Sequence, residues 1–261
     1  MTTIGEIVDF LDETFHPEYQ EDYDNSGFLL GKTDIEVTGV LAAIDLTPNV
    51  IDEAITNGCN MIVTHHPFIF GGLKRITTAT EAGRMVFSLV EHGIAVYAAH
   101  TNLDNMKEGV NGILANKLGL TNCRILKPFA TNADLGAGMV GTLPHPVATS
   151  QFIDDVKRQL GLPVVRCSAL CRNEISKVAI CGGSGSFLIA DAIAAGADIF
   201  LTADLKYHDF QRAEGRIILA DIGHYESEQF AKELIYCAIS EKFRKFAVRI
   251  SEAKNGYINY I

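Results

Sequence analysis

The residues with the most chemical character are two adjacent imidazoles, His65 and His66, in the stretch Thr64-His65-His66-Pro67. They close the apolar run Asn60-Met61-Ile62-Val63, which reads as a buried strand whose ladder Pro67 cannot continue. Adjacent residues on an extended chain point to opposite faces. Two consecutive histidines therefore face one site only where the strand has ended and the backbone turns, and Pro67 supplies that turn. Alone, the dipeptide reads as a pair of polar loop residues. It becomes a site if other ligands arrive.

Other ligand types do stand at comparable places. His100-Thr101-Asn102-Leu103-Asp104 follows the apolar run from Ile94 to Ala99, and His224-Tyr225-Glu226-Ser227-Glu228 follows the run from Arg216 to Ile222. Helix positions four apart lie on one face, about 5–6 Å from each other, so His224 and Glu228 can turn towards one ion. With His65, His66 and Asp104 they make five nitrogen and oxygen donors. That is too many for one catalytic zinc with an open position. It is a natural number for two ions about 3.5–4 Å apart that share a carboxylate. Imidazole and carboxylate without thiolate suit Zn, Fe, Mn, Co or Ni. Two such ions lower the pKa of a shared water and clamp the attacking and leaving oxygens, which makes hydrolysis the expected reaction class. His100 is a candidate acid or base, or else a histidine that orients Asp104. Asp204 and His208, four apart after a further strand, are candidates to hydrogen-bond substrate or fix the ligands, and His208 is a second candidate for proton transfer.

The elements that must position these residues alternate between helix and strand. Thr3-Ile4-Gly5-Glu6 is a capping box, and Ile4, Ile7, Val8, Leu11 and Phe15 recur at helical spacing, so a helix is expected up to His16-Pro17. A turn-rich segment around Asp24-Asn25-Ser26-Gly27 follows, in which Asp24 and Asn25 are ordinary turn residues. Then come a strand near 37–44, a helix over 48–57, the strand ending at Thr64, a helix over 81–91 and a strand over 94–99. A helix is expected over 110–118, and the pattern loosens over 122–134 into a boundary. Strands over 138–143 and 164–167 flank a helix over 150–160. A strand over 177–181 then enters a glycine turn, Gly182 to Ser186, which lacks the lysine of a P-loop. A helix follows to Ala195, then a strand over 198–201, and His224 opens a helix expected to continue through Phe230, Leu234 and Ile235.

This rhythm implies βαβ crossovers and parallel strands. A repeat runs through it: a shift of 138 positions lays Val40 to His66 over Val178 to Asp204 without a gap, with Gly58 on Gly196 and Thr64 on Thr202. Thr64-His65-His66 thus falls opposite Thr202-Ala203-Asp204. The expected architecture is two related α/β domains with mostly parallel sheets, 1–125 and 126–223, with 224–261 packing back near the first. The metal site is expected at the strand C-terminal ends between the halves, where open α/β sheets place ligands.

Composition bounds the function. The 261 residues, 48% hydrophobic, can bury a substantial core, and the formal net charge of −10 disfavours a binder of phosphate backbones. The N-terminus lacks the order of a signal peptide and no apolar run is long enough to span a bilayer, so a cytoplasmic protein without membrane contact is expected. Six scattered cysteines suit reduced thiols.

Together, Asp24-Asn25-Ser26-Gly27, Thr64-His65-His66-Pro67, His100 to Asp104, Thr202-Ala203-Asp204 with His208, and Gly223-His224 with Glu228 resemble the NIF-three-like family, also labelled GTP cyclohydrolase I type 2 homologs. The resemblance covers nearly the whole chain in order. It implies a dinuclear metal site between two α/β domains, His65, His66, Asp104, His224 and Glu228 as ligands with Glu228 bridging, and a toroidal homohexamer. Tyr23 stands where Trp is expected of the family, and the link from Cys123 to Gly138 is too short for the domain that longer members insert. Two functions compete. One is a metal-dependent hydrolase, GTP cyclohydrolase-like, acting on a nucleotide or related small molecule. The other is a non-catalytic protein that handles metal or serves in assembly.

Overall fold

The computed structural model describes residues 1–253, 257, 258, 260 and 261. In chain order the elements are α1 (Ile4–Phe15), β1 (Gly27–Leu30), β2 (Gly39–Ala43), α2 (Pro48–Thr56), β3 (Met61–Thr64), α3 (Glu81–Glu91), β4 (Ala95–Ala98), α4 (Thr101–Asp104) and α5 (Val110–Lys117). There follow β5 (Thr121–Phe129), β6 (Asn132–Ala148), α6 (Thr149–Leu160), β7 (Arg166–Cys167), β8 (Glu174–Ser184), α7 (Ile189–Ala194), β9 (Ile199–Ala203), α8 (Tyr207–Gln211), β10 (Ile218–Asp221), α9 (His224–Glu228), α10 (Ala231–Lys242) and β11 (Ala247–Ile250). They form two compact units. The first is Met1–Leu103 with the described residues of the segment that starts at Ala231. The second is Asp104–Phe230 with Tyr260 and Ile261.

In the first unit the sheet order is β1-β4-β3-β2-β11. Strands β11, β2, β3 and β4 run parallel, and β1 closes the edge antiparallel to β4. Every residue of β2, β3 and β4 is buried, as expected of parallel strands covered on both faces. Helix α1 begins at the capping box: the Glu6 amide donates to Thr3 Oγ1 (3.2 Å) and the Thr3 amide to Glu6 Oε2 (2.7 Å), worth about 1 kcal/mol. It buries Ile4, Ile7, Val8, Leu11 and Phe15 and stops at His16, whose left-handed backbone precedes Pro17. The helix is tied to the sheet by the buried Tyr97 of β4, whose hydroxyl donates to Asp12 Oδ1 at 2.8 Å. At the far edge, Glu53 of α2 accepts from Ser251 Oγ (2.6 Å) and the Glu252 and Ala253 amides (3.0 and 3.2 Å). These bonds fasten the chain beyond β11.

In the second unit the order is β5-β6-β8-β9-β10-β7, with β8, β9 and β10 parallel and β7 antiparallel to β10. Alternate residues of the parallel strands feed different cores. Val178, Ile180, Ile199 and Leu201 pack with α5 and α6 residues such as Leu114 and Phe152. Ala179, Phe200 and Leu219 pack with Leu188, Ile189 and Ala192. The repeat is visible in the pairing register: Val40 pairs with Met61 and Val178 with Ile199, each the other pair moved by 138 positions. The topology repeats too. β1-β2-β3-β4 and β7-β8-β9-β10 each lay three parallel strands side by side with the preceding strand antiparallel on the last. The expected mixed α/β class with mostly parallel sheets holds.

Three local expectations need correction. Residues 122–134 are not a loose boundary but most of a hairpin, in which Phe129 of β5 pairs with Asn132 of β6. Its turn, Ala130-Thr131, carries no glycine signal, and in β5 only Ile125 and Leu126 are buried, so no hydrophobic alternation betrays the strand. Gly182, Gly183 and Ser184 lie within β8, not in a turn. A shift of register between Ile180 and Ser184 accommodates them, and Gly183 has φ +61°, the left-handed backbone of a bulge. The helix from His224 ends at Glu228, and a second begins at Ala231. Between them Gln229 turns its side-chain amide onto the Glu226 carbonyl (3.0 Å), an acceptor that a continuing helix uses for its next turn.

Candidate metal centre

Each unit carries its own group of metal-ligand residue types. In the first, the ladder carries on just past β3: the His65 and His66 amides donate to the Ala43 and Ile44 carbonyls (3.1 and 2.9 Å). Thr64 Oγ1 then donates to the His66 carbonyl (2.8 Å) and folds the chain over. That turn brings the two rings to the same side, with centroids 4.9 Å apart. His65 is fully buried, and its Nδ1 lies 2.7 Å from the Ala99 carbonyl. A carbonyl only accepts, so Nδ1 carries the proton and Nε2 the lone pair. His66 Nδ1 sits 2.8 Å from Asp45 Oδ1, with the same consequence. His100 brings a third ring, 5.4 Å from each of the others.

The His100 ring is fixed by Asp24, whose Oδ1 lies 2.7 Å from Nδ1. The Asp24 side chain is fully buried. It also accepts from the Thr101 amide (3.0 Å) and hydroxyl, the Asn25 amide (2.8 Å) and Ser26 Oγ (3.1 Å). Burial pushes its carboxyl up, but the His100 and Thr101 donors and the Asn25 amide outweigh it and hold the group far below the usual carboxylate range. A residue that reads in the sequence as a turn former is the hub of the loop.

In the second unit, α9 presents His224 and Glu228 on one face, with His224 Nε2 3.0 Å from Glu228 Oε2. Glu228 is buried, and His224 Nδ1 is held by Asp204 Oδ2 at 2.7 Å. Asp204 has φ +57°, a backbone that Asp tolerates better than most residues. Burial raises its carboxyl, and bonds from Ser184 and His224 bring it below its ordinary value. Asp104 ends α4, and its carbonyl accepts from Asn111 Nδ2 (3.2 Å). The Asn111 oxygen in turn accepts from the Gly182 amide (3.0 Å), while the Gly183 amide donates to Ser227 Oγ (2.9 Å). These glycine amides serve the protein itself and not an anion. Gly183 also bears on the site: a Cβ there would lie 2.2 Å from Glu228 Oε1, so the carboxylate would have to move. Cys181 is buried among this group, and burial, then the charges of Asp104 and Glu228, push its thiol far up. His208 lies on α8, exposed, with Nδ1 3.2 Å from Gln211 Oε1.

The donor chemistry fits divalent ions. In the first unit His65 and His66 each have Nδ1 occupied by an acceptor oxygen, which leaves the lone pair on Nε2. In the second, His224 faces carboxylate oxygens at both nitrogens, so its Nε2 offers a lone pair once an ion takes the place of the proton facing Glu228, and Asp104 and Glu228 add carboxylates. The sequence marks His65, His66, Asp104, His224 and Glu228 as candidate ligands and does not mark Asp45, the partner of His66. It stands two residues past the end of β2, so the strand-end position that marked the others was there to be read.

Among known proteins, the profile of the family described as Duf34/NIF3 (NGG1p interacting factor 3) matches residues 2–256. The chain belongs to the Duf34/NIF3 family. Its relatives include a Clostridium perfringens protein named GTP cyclohydrolase 1 type 2 homolog, 34% identical over 228 residues that cover 86% of each chain. A protein of the same name from Campylobacter jejuni is 32% identical over 258 residues, 97% of this chain and 98% of that one. The crystal structure of a Staphylococcus aureus hypothetical protein matches with a TM-score of 0.91 at 30% identity, across 100% of this chain and 99% of its own. The resemblance drawn from the strand-end motifs is therefore borne out for the Duf34/NIF3 chain as a whole. No helix among the described residues is long and apolar enough to cross a membrane.

Proposed function

We propose that this Duf34/NIF3 protein holds two divalent metal ions through His65, His66, Asp104, His224 and Glu228, and acts as a metal-dependent hydrolase on a small molecule of the purine-nucleotide class. The observation that carries the reading is the set of oxygens on Nδ1: Ala99 for His65, Asp45 for His66, Asp204 for His224. Such partners fix both tautomer and ring orientation, and are the usual company of metal-ligating histidines. Asp104 and Glu228 each offer two carboxylate oxygens, and the family resemblance assigns the bridge between the ions to Glu228. When bound, the ions supply a water of lowered pKa and a clamp for developing negative charge.

The chain's own residues supply the rest. His100, with Nδ1–H given to Asp24, keeps a basic Nε2 and is the proposed proton carrier. The buried Asp24 stabilises the imidazolium that forms when that nitrogen takes a proton. The names of the relatives support a nucleotide substrate, and the family resemblance supports a homohexamer.

One preparation tests this. Elemental analysis is expected to give about two divalent ions per chain, with His65→Ala and His66→Ala each losing one before the fold is lost, and light scattering is expected to give a hexamer mass. Loaded protein should turn over GTP above a His65→Ala control. Metal-free protein after reloading would overturn the proposal. Full loading with no turnover of nucleotides would remove the hydrolase and leave a metal-handling protein.

A further inference from the structure

Two aromatic rings of the first unit stand out in solvent beside the histidines. Tyr23 is 65% exposed and Phe70 is 48% exposed. Their centroids are 6.2 Å apart with the rings inclined at 47°, and Phe70 lies 6.0 Å from the His100 ring, edge on at 78°. His100 in turn meets His65 and His66, each at 5.4 Å. A continuous run of rings thus leads from the surface to the candidate ligands.

The loops that carry these rings are built to hold them. Asn25 Nδ2 donates to the Ile69 carbonyl at 2.5 Å, joining the segment after Tyr23 to the one before Phe70. Asp24, next to Tyr23, is the buried hub that binds His100, Thr101, Asn25 and Ser26. Two residues before Phe70, Phe68 packs against the core beneath β3. Residues 68 and 70 both lie at bends, so the chain here does not keep the strand register that would put them on one face, and Phe68 packs inward while Phe70 stands outward. Folding therefore spends one phenylalanine on the core and leaves its neighbour in water. A bracing hydrogen bond across two loops that present exposed aromatics is what a recognition surface requires, since a ring held in place loses little entropy on meeting a partner.

We infer that Tyr23 and Phe70 form a stacking platform for a planar heteroaromatic ring, and so give the substrate its class: a molecule whose ring lies on this platform while its reacting part reaches the histidines. The inference rests on the reading of the histidine cluster as the site. Rings inclined at 47° are neither stacked nor perpendicular, so their faces are not spent on each other, and every nucleobase has a π-face to lay on one of them. Stacking tolerates any such ring and sets no hydrogen-bond pattern, so the platform selects for flatness and not for a particular base.

Titration calorimetry of the full chain with GTP, guanosine and inorganic triphosphate, on metal-loaded and metal-free samples whose metal content is measured, tests the platform. GTP and guanosine are expected to bind, and Phe70→Leu, which keeps bulk and removes the ring, is expected to weaken both about tenfold, the loss of one stacked aromatic. Triphosphate binding and metal content stay unchanged. Tyr23→Ala is expected to weaken guanosine, and Tyr23→Phe to restore it. Equal affinity of wild type and Phe70→Leu for guanosine, or no binding of guanosine and GTP in either state, overturns the platform. A chain that holds no metal but binds guanosine through Phe70 keeps the platform and rejects the metal reading, so the two failures are distinct.

Discussion

At the scale of single residues, the functional content lies in pairs: an imidazole and the oxygen on its Nδ1. Asp45 holds His66 at 2.8 Å, Asp204 holds His224 at 2.7 Å and Asp24 holds His100 at 2.7 Å. If His66 is a metal ligand, Asp45→Ala removes the group that fixes its tautomer without touching a donor atom. Metal affinity should fall about 10- to 100-fold, read by competition with a chelator, with the protein still folded. Unchanged affinity would show that His66 ligates nothing. The histidines and Glu228 were legible because imidazole is uncommon and their spacing marks strand ends. Of their partners, Asp204 was marked by the strand end it follows, but Asp24 and Asp45 were not, because they stand 76 and 21 residues from the rings they orient and an aspartate near a turn has an ordinary structural role of its own.

At the scale of elements, the glycine pair of β8 shows how backbone and site depend on each other. Gly183 combines φ +61° with a closest approach to Glu228 that leaves no room for a methyl group. Gly196 has nearly the same backbone, φ +69°, with nothing within 4 Å of where its Cβ would stand. Both alanine substitutions should cost about 1–2 kcal/mol for the left-handed backbone, seen as a lower thermal midpoint. Only Gly183→Ala should also displace the Glu228 carboxylate and lose metal. Equal metal content in the two variants would show that the close approach does not hold Glu228 in place. The sequence displayed the glycines but assigned them to a turn, since a bulge inside a strand is written in the same residues as a loop. The β5–β6 hairpin escaped for the opposite reason. Its stretch over 122–134 is mostly exposed, so the burial that writes hydrophobic alternation into a strand did not constrain it there. The parallel strands β2, β3, β4, β8, β9 and β10 were legible within a few residues of their ends, whereas β11, parallel to β2 but without a buried residue, was not legible as a strand.

At the scale of the whole molecule, the two units repeat one plan, and the repeat makes a claim about stability. A shift of 138 positions preserves residue pairing between the first two parallel strands of each unit, and both units then place the third strand beside the second. In each, the second strand is central: β3 lies between β2 and β4, and β9 between β8 and β10. All residues of both are buried, so their amides exchange only when neighbours on both sides come away. Edge strands lack that cover: among the described residues β7, two residues long, pairs with β10 alone, and β11, half exposed, pairs only with β2. Local opening ranges from near zero cost at such edges to the full unfolding free energy in central strands. Native-state hydrogen exchange is therefore expected to find the slowest amides of each unit in Met61–Thr64 and Ile199–Ala203, with β7 and β11 exchanging well before them. If β3 exchanged as fast as β11, the strand that ends in Thr64-His65-His66 would be no rigid mount. The histidine pair would then owe its geometry to the ligand it meets rather than to the sheet beneath it.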